Sequence, residues 1–174
     1  MIRVGSLLHD VGKIGIPDSI LLKPDQLTLE EVMAVRLHPA IGRRIVERIE
    51  GFEAYLPIIE LHHENQDGSG YPHRLRGDQV PLETRIVHAV DAFDAMTSDR
   101  PYRKGIPQPE ALNRLLMASG TEFDPDVVVA FHRVRTGMSP LISDEPSVRD
   151  YLQLARGLAA GSAMDAPTLL EPRD

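Results

Sequence analysis

Among the side chains that can bind divalent metal ions, six stand out between positions 9 and 91 of the 174-residue chain. They are His9, Asp10, His38, His62, His63 and Asp91. The sequence has no cysteine, so any metal is held by nitrogen and oxygen ligands, which suit iron, manganese, zinc or magnesium better than copper(I) or an iron–sulfur cluster. Because a carboxylate has two oxygens, Asp10 could bridge two ions. The set predicts a metal centre whose ligands converge from several helices.

Taken singly, each of these positions also has a structural explanation. A dipeptide such as His9-Asp10 is more often a solvated pair at the end of a helix. The pair His62-His63 follows an apolar segment, where histidine can compensate a helix dipole, and His38 could simply lie near a helix N-terminus. Asp91 lies in an apolar helical segment, where a buried carboxylate is costly unless it is paired or bound to metal. The metal-site interpretation therefore depends on the six residues jointly.

The elements that must position these residues are helices, because the apolar periodicity is helical almost throughout. We predict helices over about residues 2–11, 28–37, 39–49, 53–63, 82–96 and 125–135, and a short one near 147–160. Thr28 and Glu31 form the pattern of a capping box, and Pro39 suits the first turn of the helix that follows. The predicted apolar face of that helix consists of Ile41, Ile45, Val46 and Ile49.

One segment departs from this helical pattern. Residues 65–81 contain Gly68, Gly70, Gly77, Pro72 and Pro81, and we predict an irregular loop there. Such long connections usually serve a function or are disordered. No strand pattern stands out anywhere in the sequence. The predicted fold class is therefore all-α.

The composition excludes several classes of protein. Hydrophobic residues make up 42% of the chain and charged residues 26%, which is enough apolar content for a packed core. The formal net charge of −7 disfavours a binder of DNA or RNA polymers, which usually carries a basic face. No apolar run approaches the ~20 residues of a membrane helix, and no signal peptide is recognised. We therefore expect a cytoplasmic protein that does not bind a membrane.

Four segments carry most of the residues that could do chemistry. They are His9-Asp-Val-Gly-Lys13, His62-His-Glu64, Asp67-Gly-Ser-Gly-Tyr-Pro72 and Asp91-Ala-Phe-Asp-Ala-Met-Thr-Ser-Asp-Arg-Pro-Tyr-Arg103. Together they closely resemble the HD-GYP family, a branch of the HD phosphohydrolases, and the resemblance covers about residues 4–135. It implies an HD-type helical bundle. It also implies hydrolysis of cyclic di-GMP to linear pGpG, and in some members on to GMP, in bacterial second-messenger signalling.

The resemblance also implies roles for individual residues. It suggests two or three divalent ions, most often iron or manganese, held by the six ligand-type residues with Asp10 as the bridge. Lys13 would act with Asp10 beside the reacting phosphate, while Arg100 and Arg103 would hold the phosphates of the substrate. Substrate contacts from the loop would come from Gly70, Tyr71 and Pro72. The same loop is expected to contact a regulatory or diguanylate-cyclase-type protein partner.

The chain departs from the family pattern at its N-terminal end. Family members normally carry further helices ahead of the His-Asp pair, with another metal-binding histidine, whereas eight residues precede His9 here. We therefore expect an N-terminally incomplete HD-GYP domain over residues 1–136. A C-terminal extension, with one short helix and a flexible tail, is expected over 137–174. We further expect the chain to bind fewer metal ions than the family in general, or to bind them less tightly.

These observations predict a metal-dependent cyclic di-GMP phosphodiesterase. The alternative is a catalytically impaired signalling module that binds cyclic di-GMP or a partner protein without turnover. An HD hydrolase acting on another nucleotide is a third interpretation, and the Asp67–Pro72 loop argues against it because that loop is specific to the HD-GYP branch.

Overall fold

Helices make up the regular structure of the described residues, which in this computed structural model are 1–99, 103–137, 150–153 and 157. The α-helices are α1 (Ile2–Leu8), α2 (Asp18–Leu21), α3 (Leu29–Val35), α4 (His38–Val46), α5 (Leu56–Leu61), α6 (Leu82–Thr97), α7 (Gln108–Met117) and α8 (Pro125–Thr136). Short 3₁₀ helices lie at Val11–Gly15, Glu53–Tyr55 and Gly77–Gln79. The described residues form no strand, and the all-α fold class is confirmed.

The described chain divides into two compact units, one formed by Met1–His88 and the other by the described residues from Ala89 onward. In the first unit, α4 packs on the first 3₁₀ helix and on α5, and α1 also packs on α5. Ile58 and Ile59 of α5 are fully buried in this unit. In the second unit, α7 packs on α8, and Leu115 is buried there. Each unit therefore has an apolar core of its own.

Glycine permits the close approach of the first 3₁₀ helix to α4. A Cβ on Gly12 would overlap the carbonyl oxygen of His38 and the amide nitrogen of Gly42. Because both obstacles are backbone atoms, rotating a side chain could not relieve the overlap. Gly5 has a similar part between α1 and α5, where a Cβ would overlap the side chain of Ile58. The absence of a Cβ at these two positions therefore permits both close approaches.

The helix starts that the sequence signals are confirmed. The hydroxyl of Thr28 accepts a hydrogen bond from the Glu31 amide at 3.3 Å, and the Glu31 carboxylate accepts one from the Thr28 amide at 2.7 Å. This reciprocal pair is the expected capping box. Pro39 lies in the first turn of α4, and the carboxylate of Asp124 caps α8 by accepting from the Asp126 amide at 2.7 Å.

The first helix is shorter than predicted. It was expected to continue to Val11, but it ends at Leu8, and His9 and Asp10 form a turn before the 3₁₀ helix. The backbone of Asp10 has φ −96° and ψ 5°, outside the α-helical region. The physical reason is the close contact of Gly12 with α4. An α-helix that continued to Val11 would turn Gly12 away from this contact.

The buried face of α4 also differs from the prediction. Ile45 and Ile49 were expected to face the core, but 38% and 45% of their surfaces are exposed. Val46 is buried as predicted, but it shares the buried stripe with His38 and Gly42, at a spacing of four residues, and not with the predicted isoleucines. The difference arises because His38, a polar residue, is turned inward. Two further helices, α2 and α7, lie outside the predicted set.

The C-terminal part is described only in short segments. Residues 150–153 and 157 are helical, in agreement with part of the predicted helix at 147–160, and the rest of that helix and the predicted tail lie outside the described residues. The hydroxyl of Tyr151 lies 2.8 Å from Nδ1 of His132 on α8, and Leu152 is buried. This segment therefore packs on the last long helix. No described helix has the length and apolar character that crossing a membrane requires.

The glycine contact gives a first prediction. We expect Gly12→Ala to lower the free energy of unfolding by at least about 2 kcal/mol, because a methyl group has no space between two backbone segments. Urea denaturation followed by circular dichroism would measure the change. Gly157→Ala is the matched control, since a Cβ there meets nothing within 4 Å. Equal unfolding midpoints for Gly12→Ala and the wild type would contradict the close approach.

Candidate metal centre

Three histidine rings are oriented by the same kind of hydrogen bond. In each ring Nδ1 donates to the backbone carbonyl three residues earlier, at 2.6 Å for His9, 2.8 Å for His38 and 3.0 Å for His62. A carbonyl oxygen only accepts, so the hydrogen resides on Nδ1, and the neutral imidazole presents a lone pair at Nε2. Histidines that bind metal are commonly fixed in this way by a backbone or carboxylate acceptor.

The Nε2 atoms converge on the carboxylate of Asp10. Nε2 of His9 lies 3.3 Å from Oδ2, and Nε2 of His38 lies 3.3 Å from Oδ1. Nε2 of His62 lies 3.9 Å from Oδ1 and 3.2 Å from Nε2 of His38. Two lone pairs this close repel unless a proton or a cation lies between them. Two ligand atoms that each lie ~2.1 Å from one ion are about 3.0–3.4 Å apart, so the spacing fits a pair of metal ligands.

Two overlapping triplets have the spacing of metal ligands. One is His38, His62 and His63, the other is His9, Asp10 and His62, and within each triplet the ligand atoms lie within 4.8 Å of one another. Burial, and then the charges of His62 and His38, hold the pKa of His63 well below its usual range. The His63 ring is therefore neutral at neutral pH, as a metal ligand must be. The residues of the two triplets, called the cluster below, could bind metal ions.

Asp10 is ionised throughout the physiological pH range. Burial alone would raise its pKa, but the hydrogen bonds that His38 and His9 donate when protonated, together with the charge of Lys13, hold the pKa far below its usual range. Nζ of Lys13 donates to Oδ2 at 2.9 Å. Both carboxylate oxygens thus face cationic or potentially cationic groups. A metal ion could take the place of the protons.

Every member of the cluster lies at or beside a helix end, rather than on the face of a helix. His9 follows the last residue of α1, His38 is the first residue of α4, and His62 follows the last residue of α5. All of them belong to the first unit. The predicted convergence of these five residues is therefore observed, although helix ends bring it about.

Three predicted site residues lie in the second unit or outside the described residues. Asp91 lies half-buried in the middle of α6, within the second unit. Arg103 also belongs to the second unit, where its Nη2 donates to the carbonyl of Ala95 at 2.7 Å. Arg100 lies outside the described residues. The ligand role of Asp91 and the phosphate-binding roles of the two arginines remain predictions.

The irregular loop over residues 65–81 contacts the cluster through Tyr71. Its ring stacks on that of His63, with centroids 4.8 Å apart and planes inclined by 20°, and its amide donates to the His63 carbonyl at 3.1 Å. Gly70 is buried, and a Cβ there would overlap the amide of Asn65 and the His63 carbonyl. Pro72 is exposed and follows a cis peptide bond. The loop therefore covers one side of His63.

Glu64, which the sequence motif contains but to which no role was assigned, anchors the same loop. It is only 3% exposed, and its carboxylate accepts from the amides of His73 at 2.6 Å and Leu75 at 2.9 Å. Arg74 between them has a left-handed φ of 58°. Two amide donors compensate the burial of this charge. An acidic residue directly after a histidine pair, at the start of a loop, was the signal available in the sequence.

Comparison with known proteins places the chain in a family. The model of the HD domain family matches residues 1–127. The chain belongs to the HD domain family. A cyclic di-GMP phosphodiesterase of Thermotoga maritima is 44% identical over 137 residues, which are 75% of this chain and 36% of that protein. A 3′3′-cGAMP-specific phosphodiesterase 3 of Vibrio cholerae is 37% identical over 132 residues, which are 76% of this chain and 29% of that protein.

These relatives support the resemblance to the HD-GYP branch that the motifs carry. The chain spans about a third of the length of the relatives it matches. Among solved structures, a cyclic GMP-AMP specific phosphodiesterase of Vibrio cholerae is similar with a TM-score of 0.55 and 16% sequence identity. The similarity covers 96% of this chain and 45% of that one. At this identity the comparison supports the fold alone.

His62 belongs to both ligand triplets, and this leads to a prediction on metal binding. Adding Mn²⁺ at about 100 times its dissociation constant should stabilise the wild-type chain by ~2.7 kcal/mol, because the ion binds the folded state only. We expect His62→Ala to lose most of this stabilisation, since His62 belongs to both triplets. The melting temperature with and without Mn²⁺ measures it. His73→Ala, which changes a half-exposed histidine outside both triplets, should keep the wild-type response; an unchanged response in His62→Ala would contradict the site.

The anchoring role of Glu64 gives a second prediction for this region. Glu64→Gln leaves one of the two loop amides without an acceptor, so we expect a loss of roughly 1–3 kcal/mol in loop stability. Trypsin should then cleave faster after Arg74 and Arg76, which mass spectrometry of the fragments would show. Glu50→Gln, at an exposed position on the same unit, is the control. Cleavage at the wild-type rate in Glu64→Gln would argue against the anchor.

Proposed function

We propose that this chain is a metal-dependent phosphodiesterase that hydrolyses cyclic di-GMP to linear pGpG. The observation that carries the proposal is the convergence of three histidine Nε2 atoms on the two oxygens of Asp10. Relatives at 44% identity are named cyclic di-GMP phosphodiesterases, which supports the same substrate class. Hydrolysis on to GMP would be a further step of the same chemistry.

A phosphodiester is anionic and resists attack by water, so the site must provide positive charge. Divalent ions, when bound, supply Lewis-acid polarisation of the phosphoryl oxygens and activation of water at neutral pH. We propose two ions, because the cluster forms two ligand triplets and each oxygen of Asp10 could bind one ion; the single Nε2 lone pair of His62 would bind one of the two. Iron or manganese suits a set of imidazole and carboxylate donors. The proposed ligands are His9, Asp10, His38, His62, His63 and Asp91.

The residues of the chain itself hold and orient the substrate in this proposal. Asp10 presents Oδ1 toward His38 and His62 and Oδ2 toward His9, an arrangement suited to a bridging carboxylate. Lys13, held at 2.9 Å from the same carboxylate, can donate to a phosphoryl oxygen where negative charge develops.

The other substrate contacts are proposed from the family resemblance. Arg100 and Arg103 would bind the phosphates of the substrate. Gly70, Tyr71 and Pro72 would form the loop beside it, and the same loop would contact a regulatory protein partner. We place the HD-GYP domain at residues 1–136 and a C-terminal extension at 137–174. The match of the HD domain model to residues 1–127 supports this assignment of the first part.

The name of one relative suggests a second candidate substrate. The relative at 37% identity is named a 3′3′-cGAMP-specific phosphodiesterase, so a mixed cyclic dinucleotide is the second candidate. Incubating the purified chain with each cyclic dinucleotide and Mn²⁺ or Fe²⁺, followed by chromatography of the products, separates the two. Binding of either compound without a linear product would instead support the catalytically impaired signalling module.

The role of Asp10 can be tested directly. We expect Asp10→Ala to lower kcat for cyclic di-GMP by about a thousandfold or more, because the site loses its only carboxylate among the two triplets and with it the metal-assisted chemistry. Release of pGpG measures the rate. Asp25→Ala, which changes an exposed aspartate of the same unit, should leave the rate unchanged. Undiminished hydrolysis by Asp10→Ala would refute the proposed function.

A further inference from the structure

Arg36 places a positive charge beside the metal centre. It follows the last residue of α3, and its Cζ lies over the ring of Tyr71 at 5.0 Å from the centroid. Tyr71 in turn stacks on His63 at 4.8 Å. The two successive separations, 5.0 Å and 4.8 Å, place the guanidinium within about 10 Å of the His63 ring.

The backbone holds Arg36 in this place from both sides. Its own amide donates to the carbonyls of Val32 and Ala34, which closes the last turn of α3. Two residues later, the buried ring of His38 donates to the carbonyl of Val35 at 2.8 Å. The short segment between α3 and α4 is thus fixed by a residue of the cluster itself. The position of the guanidinium is therefore tied to the cluster through the chain as well as through Tyr71.

The charge of Arg36 is available to a ligand. Its side chain is exposed, and within the described part of the chain no carboxylate forms an ion pair with it. In contrast, Lys13 is paired with Asp10, and Arg43 is paired with Glu60. A guanidinium held over an aromatic ring keeps in-plane N–H donors that match the oxygens of a phosphate. Arg36 therefore has the charge, the donors and the location of an anion-binding residue.

We propose that Arg36 binds the second phosphate of a cyclic dinucleotide whose first phosphate lies at the histidine–aspartate cluster. This inference rests on the proposed function. A cyclic dinucleotide has two phosphodiesters in a single ring, with one nucleoside on each path between them. When one phosphate is at the cluster, the other is held a few ångströms away on the same ligand. Tyr71 is then a positioning residue for Arg36, in addition to any contact it makes with the substrate.

The test compares two substrates that differ in the second phosphate. Bis(p-nitrophenyl) phosphate has a single phosphodiester, whereas cyclic di-GMP has two. Arg36→Met removes the charge and keeps much of the side-chain length, and Arg44→Met makes the same change at an exposed position on α4. Arg36→Lys restores the charge without the planar fork. The full chain is assayed with Mn²⁺, and kcat and KM are determined for each variant and substrate.

We expect Arg36→Met to raise KM for cyclic di-GMP about tenfold or more with little change in kcat, since a charge-assisted contact made equally in ground and transition states is lost. Its hydrolysis of bis(p-nitrophenyl) phosphate should be unchanged. Arg36→Lys should recover part of the loss, and Arg44→Met should behave as the wild type with both substrates.

Three results would overturn the inference. If Arg36→Met impairs both substrates equally, Arg36 only supports Tyr71 and His63. If it impairs neither, Arg36 does not contact the substrate. If the wild type cleaves bis(p-nitrophenyl) phosphate but neither cleaves nor binds cyclic di-GMP in calorimetry, the proposed substrate fails and the inference with it. The first two results appear only in the variants and leave the proposed function intact, so the two failures are distinguishable.

Discussion

The first unit contains an electrostatic conflict: the Nε2 lone pairs of three imidazole rings each lie within 4 Å of an oxygen of the same carboxylate. Neutral rings in this arrangement repel the carboxylate and each other, and protons or metal cations at the centre would relieve this repulsion. Two features of the structure keep the rings and the carboxylate from moving apart. Backbone carbonyls hold each ring by Nδ1, and the contact of Gly12 with α4 prevents the segment that carries Asp10 from moving away. The contacts that hold these segments in the fold are therefore also the contacts that position the side chains of the site.

The parts that could be predicted from sequence are those with local signals. The capping box at Thr28, the start of α8 at Pro125 and the long helix α6 depend on residues close together in the chain, and all three were predicted. The end of α1 and the buried face of α4 could not be predicted, because they depend on contacts between distant residues. His38 is turned inward by its position beside Asp10 and His62, and this displaces Ile45 and Ile49 to the surface.

The site shows the same division. Residue types and family motifs identified the members of the cluster, and five of them converge. The sequence did not reveal how the loop is attached, because stacking of Tyr71 on His63 and the burial of Glu64 are tertiary features without a spacing rule. Arg36 was missed for a related reason. An exposed arginine at the end of a short helix resembles any solvated surface residue until the ring beneath it is known.

The charges of the site imply an order of events for an anionic substrate. The chain has a formal net charge of −7, and the positive charge of Lys13 is compensated by Asp10 at 2.9 Å. Without cations at the cluster, Arg36 is an exposed positive charge near His63, and a single guanidinium would attract a dinucleotide with two phosphates only weakly. Divalent ions bound at the cluster would reverse the sign of the local potential and would also relieve the repulsion among the lone pairs. In the proposed function, metal binding would therefore complete the fold of the centre before it creates the site for the substrate, and stability and substrate affinity would depend on the same ions.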